Sequence, residues 1–105
     1  MDTNALILAI NKDLELSLPA DLEETLMRQQ LAAYLNQLIL SDFQKLVYLL
    51  YRIDVDEMKL KKMLRDNPEE DAGILMADMV IERERKKAET RMKFKRNADS
   101  EEDLW

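Results

Sequence analysis

The chain has 105 residues, 47% apolar and 36% charged, with a formal net charge of −6, one glycine, two prolines, and neither cysteine nor histidine. That length supports one packed core and not two, and so little glycine and proline argues against hairpins and for long helices on short connections. Without cysteine or histidine there is no disulfide, no thiolate ligand, no imidazole base, no Ser-His or Cys-His nucleophile and none of the usual zinc sites, so no enzyme and no cofactor is expected.

Residues 4–16 place Leu6, Ile10 and Leu14 four apart with Ile7 beside them, a short amphipathic helix capped near Thr3 or Asn4. Ser17-Leu18-Pro19 breaks the pattern, because a residue before proline is pushed out of the α region while proline itself suits the first position of a new helix. The second helix is therefore predicted from Pro19 to Leu40, with Leu22, Leu26, Leu31, Leu35, Leu38 and Ile39 on a broad apolar face.

The stretch Ser41–Ile53 reads as a core helix. Phe43, Leu46, Val47 and Leu50 fall at i, i+3, i+4 and i+7, and Leu49 and Ile53 widen the stripe until only Asp42, Gln44, Lys45 and Arg52 are firmly polar. This predicts the central helix, with the others packed around it. Three helix starts follow: Ser41-x-x-Gln44 and Asp54-x-x-Glu57 as capping boxes, the second with Ile53 and Met58 as a staple that turns the chain at Asp54, and Asn67-Pro68-Glu69-Glu70 with asparagine as cap. The helix after Asp54 runs to about Arg65 and buries Leu60, Met63 and Leu64. The last begins at Pro68, carries apolar residues as far as Ile81, and continues as a charged extension over residues 82–96.

Charge is segregated. Residues 1–25 carry one positive and six negative charges, residues 82–96 eight and three, and residues 97–105 none and four. Arg83, Lys87, Arg91 and Lys95, spaced four apart, make a basic stripe that repels itself along the helix and calls for something acidic. The relief is either internal, from the acidic first 25 residues or the tail, or it comes from a second copy, a partner protein or nucleic-acid phosphate. One aromatic in the stretch, Phe94, and the lack of a groove-reading motif speak against the last. A membrane surface is not expected, since the extension has almost no apolar face and no run of the chain approaches the roughly 18 to 20 residues that span a bilayer.

The tail, Asp99-Ser100-Glu101-Glu102-Asp103-Leu104-Trp105, is expected to be disordered. Its acids followed by an aliphatic and an aromatic residue resemble the acidic peptide tips with which bacterial single-stranded-DNA-binding proteins recruit partners, which makes Leu104 and Trp105 candidate anchors for a partner's pocket. They could equally fold back on the chain's own basic helix. Asp54, Asp56 and Glu57 begin like a calcium loop, but Met58 and Lys59 stand where a ligand and a glycine are required, so capping accounts for them. Tyr48, Tyr51 and Arg52 read as core tyrosines with a neighbour, and the seven methionines as core filling.

The runs YRIDVDEMKLKKML, NPEEDA and ADMVIERERKKAETRMKF resemble the C-terminal half of a family of small, uncharacterised bacterial helical proteins, a likeness that implies a helical fold and brings no activity, cofactor or site residue. The expectation for the whole is a compact all-α bundle of four to five helices over residues 1–96, its core at about 4–81, a long C-terminal helix extending from it, and an acidic tail at 97–105. The expected function is that of a cytoplasmic, non-enzymatic protein-protein interaction module that self-associates, with the basic helix extension and the acidic aromatic tail as its contact surfaces. The alternative is a nucleic-acid-associated accessory protein using the basic helix.

Overall fold

Five helices account for most of the chain in a computed structural model that describes the backbone of residues 2–103 and the side chains of residues 2–93. They are α1 (Thr3–Leu14), α2 (Glu24–Ser41), α3 (Phe43–Arg52), α4 (Glu57–Asp66) and α5 (Ala72–Asp103), and no strand occurs among the described residues. The all-α bundle with a long last helix is thus the architecture. At 32 residues α5 runs about 48 Å, which sets the long axis of a molecule measuring 55 × 32 × 22 Å.

The core is built on α2 and α5, which pack along each other. Met27, Leu31, Leu35 and Leu38 face Met76, Ala77, Val80 and Ile81, and α1 seals one side with Leu6, Ile7, Ile10 and Leu14, each fully buried. Close approach of the two long helices depends on the single glycine. A Cβ on Gly73 would stand 2.4 Å from the Ala32 carbonyl oxygen and 2.6 Å from the Asn36 side chain. Asn36 uses that space, accepting from the Gly73 N–H at 3.0 Å and donating to Asp71 at 2.8 Å, so the N-terminus of α5 is tied to α2 by hydrogen bonds as well as by packing.

The expectation that Ser41–Ile53 is the central helix is not met. Only Leu46, Leu49 and the following Ile53 are buried, while Phe43, Val47, Tyr48 and Tyr51 are exposed. A ten-residue helix has too little length to serve as an axis, and α5, although half of its residues are charged, has a longer continuous stripe to offer. The hydrophobic cluster ends at Ile81, but burial continues one turn further, for Ala77, Val80, Ile81 and Glu84 occupy i, i+3, i+4 and i+7 of one stripe and all four are buried.

The helix starts are displaced from their expected residues. Asp2, not Thr3 or Asn4, caps α1 and accepts from the Ala5 N–H at 2.7 Å. Ser41 ends α2, its hydroxyl donating to the Gln37 carbonyl, and Asp42 caps α3 by accepting from Lys45 N–H; an ionised carboxylate is the stronger acceptor and favours the positive end of the helix dipole. The chain does turn sharply at Asp54, but in a left-handed conformation, φ 61°, closed by Val55 N–H donating to Leu50 O. An N-cap needs extended backbone, so the role passes to Asp56, which accepts from Met58 and Lys59. Asn67 closes α4 instead of opening α5, donating to Met63 O, and Asp71 caps α5 four residues later.

The second helix begins at Glu24 and not Pro19 because the segment before it is committed to α1. Asn11 holds Leu18 by both of its amide groups, donating to the carbonyl and accepting from the N–H at 2.9 Å each, and Asn4 donates to Ala20 O at 2.8 Å. Residues 15–23 are consequently a strap laid along α1, starting with Glu15 in a left-handed conformation, φ 57°.

Candidate interaction surfaces

The outward side of α3 is the most unusual surface of the molecule. With Leu46, Leu49 and Ile53 turned to the core, the opposite face of the helix carries Phe43, Gln44, Val47, Tyr48 and Tyr51, an arc of about 140° at 100° per residue without one charged side chain. Phe43 is 61% exposed and Tyr51 85%, and Leu40, on the last turn of α2, is 89% exposed just before it. In a chain that is 36% charged, five adjacent uncharged positions holding three aromatics make a patch of the kind that interface cores contain. The apolar positions of α3 thus form two stripes back to back, one spent on the core and one facing solvent.

The basic stripe is partly answered from within. Arg83 reaches the end of α3, donating to the Ile53 carbonyl at 3.1 Å and pairing with Asp54 at 3.3 Å, so it serves as a C-terminal cap as well as a counter-ion. Lys87 pairs with Asp13 of α1 at 3.1 Å. Arg91 donates to the Lys87 carbonyl of its own helix at 3.4 Å. Lys95 lies on α5 with its side chain outside the described residues, and Leu104 and Trp105 lie outside them altogether. Two of the four stripe cations are therefore brought to carboxylates that the sequence places 29 and 74 residues away.

The acids after α3 have structural work. Asp54 pairs with Arg83, Asp56 caps α4, and Glu57 pairs with Lys61 at 2.9 Å. With Tyr51 and Met79 they line an open groove of about 570 Å³ between the α3–α4 turn and α5. Among the described residues no group of three or more metal-ligating side chains converges, and no helix is long and apolar enough to cross a membrane.

The third site was not anticipated. Glu84 is 0% exposed, its two oxygens accept no hydrogen bond among the described residues, and the Lys87 ammonium stands 3.5 Å from one of them. Asp13 lies against it from α1. Burial pushes the Glu84 carboxyl up, the adjacent Asp13 pushes it further, and Lys87 offsets only part, leaving it at about 7. Burial acts in the same upward direction on Asp13, but hydrogen bonding to Glu84 and Lys87 and the charges of Lys87 and Arg52 outweigh it and hold that carboxyl below its usual range. The signal for Glu84 was present in the sequence as the seventh position of the stripe that begins at Ala77. It is masked there by the run of charges around it.

No family model, curated protein or solved structure matches this chain.

Proposed function

We propose that the protein is a non-enzymatic interaction module that self-associates, and that two copies meet through the outward face of α3. The observation that carries this reading is the uncharged aromatic arc of Phe43, Val47, Tyr48 and Tyr51 with Leu40 at its edge. A second copy fits this face better than a partner chosen by charge. Each copy carries −6, so contact between charged surfaces is repulsive, and the α3 arc is a place where two copies can touch without desolvating like charges. A two-fold axis at Val47 with the helices antiparallel sets Phe43 of one copy against Tyr51 of the other, an aromatic pair on each side of a valine centre.

The basic extension and the tail become secondary contacts in this reading. Arg83 and Lys87 already have carboxylate partners, which also leaves the nucleic-acid alternative with fewer free cations than the stripe of four suggests. Light scattering over a concentration series decides the matter. The expected result is a dimer that persists in high salt, because apolar contact is not screened, and that Val47→Ser with Tyr51→Ser converts to a monomer whose melting temperature, read at high dilution, equals that of the parent. A parent chain that is monomeric at every concentration, or a dimer untouched by the double substitution, overturns it.

A further inference from the structure

Along most of its length α1 is held by aliphatic contact, but its last turn meets α5 through two carboxyls and one ammonium. Asp13 comes from α1, and Glu84 and Lys87 from successive turns of α5. The charges that surround the trio have other commitments. Arg52 acts on Asp13 from α3 while pairing with Glu15 at 3.7 Å, Arg83 is engaged by Asp54 and the Ile53 carbonyl, and Arg91 donates to the Lys87 carbonyl. With both acids ionised, two negative charges and one positive charge lie in a junction where Glu84 has no access to water, an arrangement that burial penalises heavily. With one proton added, the junction closes: a neutral Glu84 can donate to Asp13, to which Lys87 also donates, and one negative charge faces one positive.

We propose that Asp13, Glu84 and Lys87 form a proton-operated latch that seats the C-terminal end of α1 on α5 when Glu84 is protonated and loosens it when the proton leaves. The sign follows from the direction in which burial moves Glu84. A carboxyl held above its unfolded value contributes stability that is complete below that unfolded value and is lost as pH rises through the folded one, here about 7. Asp13 behaves oppositely, its contribution vanishing only as strong acid protonates it. The latch is therefore firmest in mildly acidic solution and weakest in alkaline solution. A small groove of about 410 Å³ beside the trio, lined by Asp13, Arg83, Lys87, Thr90 and Arg91, does not turn the junction into an anion site, because two of its three cations already face carboxylates.

Amide hydrogen exchange at pH 5.5 and pH 8.5, corrected for intrinsic rates, reads the latch directly as the ratio of protection in residues 10–14 to that in the α2–α5 core. The ratio is expected to fall about tenfold or more at the higher pH in the parent chain, and to stay flat in Glu84→Gln, which keeps the shape and removes the charge. A flat ratio in the parent, a fall that persists in Glu84→Gln, or a loss of protection shared equally by all helices each overturns the latch. Should Glu84→Gln fail to fold, the side-chain carboxyl resonance of Glu84 in the parent chain gives the answer: a titration midpoint near neutrality supports the latch, and one in the ordinary carboxylate range, about 4.3, overturns it.

Discussion

Helices α3 and α5 carry opposite sequences and occupy opposite positions to those their compositions suggest. The first is rich in apolar residues and lies at the surface with about half of them in solvent; the second is rich in charges and forms the axis of the bundle with α2. What decides centrality is the length of one unbroken stripe. From Met76 to Glu84 α5 keeps a single face inward over more than two turns, whereas α3 divides its side chains between two directions and has two residues, with Ile53 just after them, anchored in the core. An excess of apolar residues over what a helix can bury marks a surface prepared for something else.

The contrast can be broken most severely on the α2 side of the axis. Leu35→Ala, at a fully buried position of α2, is expected to cost about 2 to 5 kcal/mol in chemical denaturation; a loss below 1 kcal/mol, as at a surface site, would mean the α2–α5 pair is not the axis. Gly73→Ala tests the same seam from its closest approach. The added methyl has to displace the Ala32 carbonyl or Asn36, which costs about 1 to 3 kcal/mol by overpacking, although alanine in an open helix position stabilises relative to glycine. Stabilisation by this substitution would show that the helices are not held so close.

An intermediate effect is expected where α1 meets α5. Raising the pH from about 4.5 through 7 should lower stability by roughly 2 kcal/mol on account of Glu84 alone, and Glu84→Gln should remove that slope while leaving the acid-side loss, which belongs to Asp13 and other carboxylates. Parallel pH profiles for the two proteins would refute the assignment. The smallest effect belongs to α3, where Phe43→Ser and Tyr51→Ser, on exposed rings, are expected to change monomer stability by no more than about 0.5 kcal/mol. A large loss in the monomer would place those rings in the core after all.

Much of the fold was legible from residue spacing alone. The α1 stripe of Leu6, Ile7, Ile10 and Leu14 is buried as read, as are Leu31, Leu35 and Leu38 of α2, and the last helix is long and projects. The boundaries were less legible because acids and amides compete for the same N–H groups. Ser41 and Asp42, or Asp54 and Asp56, are neighbours with similar credentials, and a backbone conformation that the sequence does not state, such as the left-handed Asp54, settles the choice. Asn11 could not announce that it would bind Leu18 and keep Pro19 out of a helix.

The candidate surfaces divide in the same way. Arg83 and Lys87 were visible as a stripe, and internal relief was one of the readings open to them, but their partners Asp54 and Asp13 depend on tertiary placement. The solvent-facing half of α3 shows in the sequence as excess width in an apolar pattern, which spacing alone does not distinguish from the broad face of a central helix. Periodicity reports which residues share a face and not what lies opposite.

The strap and the Asp13–Lys87 pair also impose an order of events on a chain emerging from the ribosome. Helix α1 leaves before the other four, yet the residue that pairs with its last turn follows 74 positions later, and the α2–α5 fork between Arg28 and Asp78 closes over 50. Neither contact can form until most of the chain is synthesised. During that interval α1 has Asn4, Asn11, its short return segment and its contacts with α3 to hold it, and the part of its four-residue aliphatic stripe that α5 covers is available to chaperones or to the same stripe on a neighbouring nascent chain. Helix α1 is made before the residues that seat it, and variants that slow completion of α5 lengthen the time for which that stripe stays uncovered.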